Sequence, residues 1–280
     1  EQCVEETLIK IALDPYFEAV EITHIEDADR RRRARKIIET SHLTPVFSIG
    51  PRLVPFGLSI NDLDEERRRK ALVTVMAGID EAYEMKCEGI GILSGRYPPD
   101  DVGKEEAYQA LLRSLDEICT YAQSRGEMTV VLEVFDYDVD RRFLIGPAAL
   151  AARLGREVSA AHANFGLMAD LSHIPLIHET SRESLTAIKE YLRHAHMGNC
   201  VVKDESLANY GDKHPRFGFP GGENDIQELS EYLRLLIEVG YLNAETRPVL
   251  SFEIKPYEDE DPDLVVANAK RTLNAAWAMA

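Results

Sequence analysis

Seven short runs rich in β-branched residues recur along this chain, and helical sequence alternates with them. The runs are "AVEITHI" (19–25), "PVFSIG" (45–50), "GIGILSG" (89–95), "TVVLEVF" (129–135), "FGLMADLSH" (165–173), "LRHAHMG" (192–198) and "PVLSFEIK" (248–255). Amphipathic spacing predicts helices over 63–87, 104–125, 181–191, 225–239 and 262–279. The last has a readable start, with Asp261 as N-cap, Pro262 at the first helical position and Asp263 at the positive end of the dipole. Strands separated by helices indicate a parallel α/β sheet. The chain opens in helical sequence, "VEETLIKIALDP", so one further strand ahead of Glu1 would make eight and give a (β/α)8 TIM barrel. A single barrel domain over 1–280 is the expectation. The competing open doubly wound sheet needs a glycine-rich phosphate loop after an early strand, and no such loop is in the sequence.

Charge narrows the ligands. The chain has 280 residues, 45% hydrophobic and 29% charged, enough to bury a large core. Its net charge of −17 would repel both a phosphate backbone and an anionic membrane. Small molecules are the expected partners. Cys3, Cys87, Cys119 and Cys200 lack zinc-like or CxxC spacing and read as reduced thiols of a cytoplasmic protein. No signal-peptide pattern or membrane-length apolar run is present.

In a barrel of parallel strands, chemistry gathers at the strands' C-terminal ends. Glu133 falls there on the fourth run, Asp170 on the fifth with His173 just past it, His196 on the sixth beside His194, and Glu253 on the seventh. Alternation puts Val249, Ser251, Glu253 and Lys255 on one face of that last strand. Carboxylate, carboxylate, imidazole and carboxylate at equivalent heights form a hard-to-borderline ligand set, suited to Mn²⁺, Mg²⁺, Co²⁺ or Zn²⁺. Burying such a cluster without a cation would be costly.

The segments "LEVF", "DLSH", "HAHMGN" and "FEIKP" resemble the metal-site segments of the xylose-isomerase-like barrels, which include sugar isomerases, epimerases and apurinic endonucleases. By that resemblance Glu133, Asp170, His196 and Glu253 bind one divalent metal, and the two glutamates also move the proton. His173 is then a supporting or substrate-binding histidine. The loop "GDKHPRFGFPGGEND" (211–225) carries Asp212 and His214 in a D-x-H pattern similar to the endonuclease branch, where such a pair binds an additional zinc. That branch also uses histidines on earlier strands, and "FSIG" and "ILSGRYP" have none. His214 and Arg216 then read as substrate contacts, for a carboxylate or phosphate. The epimerase branch carries a Glu and an Arg where this chain has Asn199, Cys200, Val201 and Val202, so the substrate stays open.

The implied reaction is isomerisation or epimerisation of a ketose, keto-acid or related sugar by proton transfer alpha to a carbonyl. A lyase or dehydratase acting on a keto-sugar, keto-inositol or C-glycoside, with or without a partner subunit, is the alternative, and an apurinic endonuclease ranks below both. A metal- or sugar-binding sensor is the non-enzyme reading. Lys255, beyond Glu253, would hold an enolate oxygen or pair with Glu253. Arg96 and Tyr97 in "LSGRYPPD", with Phe135, Tyr137 and Phe217 as an apolar wall, complete the candidate pocket. "RRRRAR" (31–36) follows "EDAD" and reads as a salt-bridged helix face, not a nucleic-acid patch. Self-association into a homo-oligomer is left open.

Overall fold

A computed structural model describes residues 3–280, and of residue 101 the backbone alone. Its seven strands are β1 (Ala19–Ile22), β2 (Thr44–Ser48), β3 (Gly89–Leu93), β4 (Thr129–Glu133), β5 (Phe165–Asp170), β6 (Leu192–Met197) and β7 (Leu250–Phe252). They form one sheet in strict chain order, parallel wherever the register is described. The helices are α1 (Val4–Leu13), α2 (Ala28–Ser41), the short α3 (Gly50–Leu53), α4 (Glu65–Glu84), α5 (Asp101–Arg125), α6 (Ala148–Ser159), α7 (Ser181–Ile188), α8 (Ile226–Glu238) and α9 (Pro262–Trp277). Strands in chain order with helices between them are the fold of a TIM barrel.

Local chemistry starts these helices. Asp27, Asp64, Asp100 and Asp261 each accept a backbone N–H from the first turn of α2, α4, α5 and α9, and Thr180 with Glu183 forms a capping box on α7. The arginines of α2 form the expected ion-paired face: Arg31 with Glu84 at 2.9 Å, Arg33 with Glu5 at 2.8 Å and Arg35 with Glu39 at 2.9 Å.

By packing, the chain divides into two compact units. The first runs through Leu132 and adds 161–165, with Phe47, Ile79, Ile90, Tyr108 and Leu115 in its core. The second comprises 133–160 and 166–280. There α6, α7, α8 and α9 pack in succession over Leu154, Leu167, Leu185, Tyr232 and Leu233. The buried Tyr232 hydroxyl donates to Ala169 O at 3.0 Å, so its polar end is satisfied.

Strands stop sooner than alternation suggests. The seventh run pairs only over Leu250–Phe252, so Glu253 and Lys255 lie beyond the ladder instead of sharing a strand face. Asp170 and His196 are register partners, but His196 lies opposite Ser251, two residues short of Glu253. Equivalent heights therefore hold for Asp170 and His196 and not for Glu253. All four cysteines are free, with Cys87, Cys119 and Cys200 buried. Among the described residues no helix is long and apolar enough to cross a membrane.

Candidate metal and active site

Four side chains meet within the second unit. Glu133 closes β4, Asp170 closes β5, His196 is the penultimate residue of β6, and Glu253 follows β7 with its N–H donating to Met197 O at 3.0 Å. One ligand atom from each falls within 4.8 Å of all the others. His196 Nδ1 is 2.6 Å from Glu253 Oε2 and 3.8 Å from both Glu133 Oε1 and Asp170 Oδ2. Those two oxygens, Glu133 Oε1 and Asp170 Oδ2, are buried and have no hydrogen-bond partner. Unpaired carboxylate oxygens are costly in an interior. Three carboxylates and one imidazole, with two unpartnered carboxylate oxygens each 3.8 Å from His196 Nδ1, fit a hard divalent cation. Without one, burial and the nearby charge of Glu253 push Glu133 up to about 8. Asp170 moves the other way: burial opposes its charge, but His173, His196 and His214 together hold its carboxyl below the usual range.

Behind this cluster a second layer sets the histidines. His173 Nδ1 donates to Val134 O at 2.8 Å, and its Nε2 lies 3.1 Å from Asp212 Oδ1. His214 Nε2 lies 2.6 Å from the same oxygen, while its Nδ1 is 3.2 Å from Ser172 Oγ and 3.2 Å from Glu253 O. Both ring nitrogens of His173 thus face oxygen acceptors, which favours its charged form. Although burial opposes it, the charge of Asp170 and the Asp212 hydrogen bond raise His173 well above the ordinary range. His214 rises to about 9 against the same burial penalty, through Glu253 and Asp212.

Asp212 is anchored in turn. Its Oδ2 accepts from Arg141 Nε at 2.5 Å, and its backbone N–H donates to Asp140 Oδ2 at 3.1 Å. The loop that brings Arg141 and Asp140 there is organised by Asp136, fully buried, whose carboxylate accepts the N–H groups of Val139, Asp140, Arg141 and Arg142. Sequence reading missed Asp136 and Arg141. The one signal was an aspartate just past a strand end and ahead of "DVDRR", a pattern that suits a loop whose carboxylate collects N–H groups.

The other candidates have separate partners. Arg216 donates to Glu260 Oε1 at 2.7 Å and stacks 5.9 Å over the Phe219 ring. Lys255 is exposed, with its N–H donating to His214 O at 2.6 Å. Arg96 is exposed in the first unit, and its carbonyl accepts from Asn61 Nδ2 at 2.8 Å. Phe217 is wholly buried and offers no wall to a ligand, a correction to the sequence reading, because its ring packs into the core beside Phe252. Phe135 is also largely buried, stacked 4.3 Å from the His173 ring. A cavity of about 560 Å³ opens beside Glu253, with Arg141, Asn209, Lys213, His214, Lys255 and Tyr257 in its wall.

The family model of the xylose isomerase-like TIM barrels matches residues 12–274, and the chain belongs to that family. Among solved structures it is similar to a D-tagatose 3-epimerase-like protein, with 19% identity and a TM-score of 0.74 over 98% of this chain and 96% of that one. It is also similar to 3-keto-D-glucoside 4-epimerase from E. coli, with 17% identity and a TM-score of 0.67 over 100% and 94%. A family 2 AP endonuclease from Brucella melitensis shares the fold too, at 16% identity and a TM-score of 0.67 over 96% and 90%. At these identities the likeness is one of fold. No curated protein sequence matches the chain.

Proposed function

We propose that this protein is a divalent-metal-dependent isomerase or epimerase that moves a proton alpha to the carbonyl of a ketose, keto-acid or related sugar derivative. The observation that carries the reading is the pair of glutamates around one histidine nitrogen: Glu253 Oε2 at 2.6 Å and Glu133 Oε1 at 3.8 Å from His196 Nδ1. Glu133, Asp170, His196 and Glu253 would hold the ion. When bound, it supplies electrophilic polarisation of the substrate carbonyl and adjoining hydroxyl. One glutamate, as carboxylate, removes the alpha proton and keeps it, and the other, as carboxylic acid, delivers its own proton to the opposite face of the carbon. Asp170 and His196 take no proton. His173, its ring held between Val134 O and Asp212, lies 3.5 Å from Glu133 Oε1 and would keep that carboxylate in position. Fold neighbours described as sugar epimerases support the reading.

Incubating metal-loaded protein with ketoses, keto-acids and oxidised glycosides in deuterated water, read by NMR, tests this. Glu133→Gln and Glu253→Gln should each keep appreciable metal, because an amide oxygen still coordinates, and lose alpha exchange by about 10² or more. Exchange at the wild-type rate in both single variants would remove the glutamates as proton carriers.

A lyase or dehydratase is the second reading. The specific observation is Asn199, buried where the epimerase branch is expected to offer polar substrate contacts. Its amide is used up by Arg216 O, the Cys200 N–H and the Asn224 N–H. The same NMR experiment separates the two, since elimination yields an unsaturated product and epimerisation conserves composition.

A further inference from the structure

Three of the four candidate metal ligands are strand residues, and the fourth is not. Glu133, Asp170 and His196 belong to β4, β5 and β6, and none of their side chains is more than 11% exposed. Glu253 follows the last residue of β7, and 42% of its side chain is exposed. Its N–H still reaches Met197 O at 3.0 Å, but the residues after it have left the ladder. A ligand placed there needs another support.

His214 supplies that support from both sides. Its ring Nδ1 lies 3.2 Å from Glu253 O, which can only accept, so the ring donates; its own carbonyl accepts the Lys255 N–H at 2.6 Å. One residue thus brackets Glu253 as a neighbouring strand would. The Glu253 carbonyl is also seated against Gly198, where a Cβ would come within 2.7 Å of it, so the close approach requires glycine. His214 is held in turn, with Nε2 2.6 Å from Asp212 Oδ1 and Asp212 tied to Arg141 and Asp140. Its backbone sits at φ 52°, a conformation that a non-glycine residue keeps only where its surroundings impose it. Ring and carbonyl are both engaged.

We propose that His214 is the positioning residue of Glu253: it fixes the backbone on either side of a metal ligand and proton carrier that lies beyond its strand. For what Glu253 does, this rests on the reading of the site given above; for how Glu253 is held, it rests on these contacts alone. With Nε2 on Asp212 and Nδ1 on Glu253 O and Ser172 Oγ, the ring serves the protein's own groups, not the substrate contact that the sequence suggests. Misplacing a reacting group by about 1 Å costs about 10²-fold in rate, so the bracket matters to the chemistry.

Two measurements on the full chain test this, using His214→Gly and His214→Asn, both of which accept the left-handed backbone. The first is amide hydrogen exchange of metal-free protein over residues 250–255. The Lys255 amide should exchange about tenfold or more faster in His214→Gly, whose carbonyl has lost its anchor, while His214→Asn, with a side-chain donor left for Glu253 O, keeps most of the protection. Unchanged exchange in His214→Gly would overturn the proposal whatever the metal does. The second is calorimetric titration with Mn²⁺. His214→Gly should weaken binding about tenfold or more, as loss of a group that orients a ligand does. In a Glu253→Ala background it should add less than about twofold, because it acts through Glu253. Wild-type affinity in His214→Gly, or an undiminished loss in that background, would also overturn the proposal. So would two ions per wild-type chain with one lost in His214→Gly, which would make His214 a ligand in its own right. If Glu253→Ala binds Mn²⁺ like the wild type, Glu253 leaves the ligand set, and the Lys255 exchange rate still decides the positioning. The expected exchange and affinity changes without alpha-proton transfer would end the proposed reaction and uphold the role of His214.

Discussion

Glu133 is asked to do two things that conflict. To bind a cation it must be ionised, yet it is buried 8% exposed beside another carboxylate, which pushes it up to about 8 when no ion is present. Below that value the metal-free site holds a proton that ligation must expel. The sign follows: apparent metal affinity falls as pH falls through and below about 8, by up to about tenfold per pH unit while one proton is released. Calorimetric titration at about pH 6.5 and about pH 8.5 should show that slope, and Glu133→Gln should flatten it along with weakening the site. A wild-type affinity that does not change with pH would mean that Glu133 is ionised before the metal arrives. This residue was legible from sequence because strand alternation places it where a barrel puts its chemistry. His173 was legible as a polar residue near the site, but not as a ring clamped between Val134 O and Asp212.

At the scale of elements, the segment after β4 does more than connect. Asp136 gathers four backbone N–H groups of residues 139–142, at 2.7–3.2 Å, and thereby aims Arg141 at Asp212 and Asp140 at the backbone N–H of the same residue. Asp136→Ala strips those donors of a charged acceptor in a buried place. It should lower stability by about 2–3 kcal/mol in denaturant unfolding, in the range for hydrogen bonds to charged groups. A loss below about 0.5 kcal/mol would show that water replaces the carboxylate at little cost. None of this could be read along the chain, because Arg141 and Asp212 are 71 residues apart and the link exists only once the two loops meet. Strand existence was readable throughout; strand ends were not, since an extended segment keeps its alternation after pairing stops, as at Glu253 and Lys255. Helix α6 went unread for a different reason. Its buried positions are Ala148, Ala151, Leu154, Gly155 and Val158, correctly spaced but mostly small. Gly155 must be small because a Cβ there would come within 2.5 Å of the Tyr191 ring.

At the scale of the whole molecule, metal and charge decide between the family's chemistries. The proposed ligand atoms come within 4.8 Å of one another only in the folded chain, so an ion held there as proposed should stabilise folding. At a free metal concentration about 100 times Kd the gain is about 2.7 kcal/mol, and chelation should remove it. In thermal unfolding, Asp170→Ala combined with His196→Ala should show no metal-dependent shift, and a retained shift would place the ion elsewhere. The same loaded protein should neither bind nor nick duplex DNA containing an abasic site. Shape alone does not exclude it, since an AP endonuclease shares this fold. A chain of net charge −17 approaches a polyanion against long-range repulsion and has few basic residues to spare for releasing counterions. The arginine-rich stretch of α2, the natural exception, is tied up with Glu5, Glu39 and Glu84. The histidines that the endonuclease resemblance calls for on early strands are missing from β2, "TPVFS", and β3, "GIGIL". Metal-dependent nicking that disappears in the Asp170→Ala, His196→Ala protein would assign the cleavage to this site and reverse the order of the two chemistries; nicking that survives in that variant would belong to a contaminant.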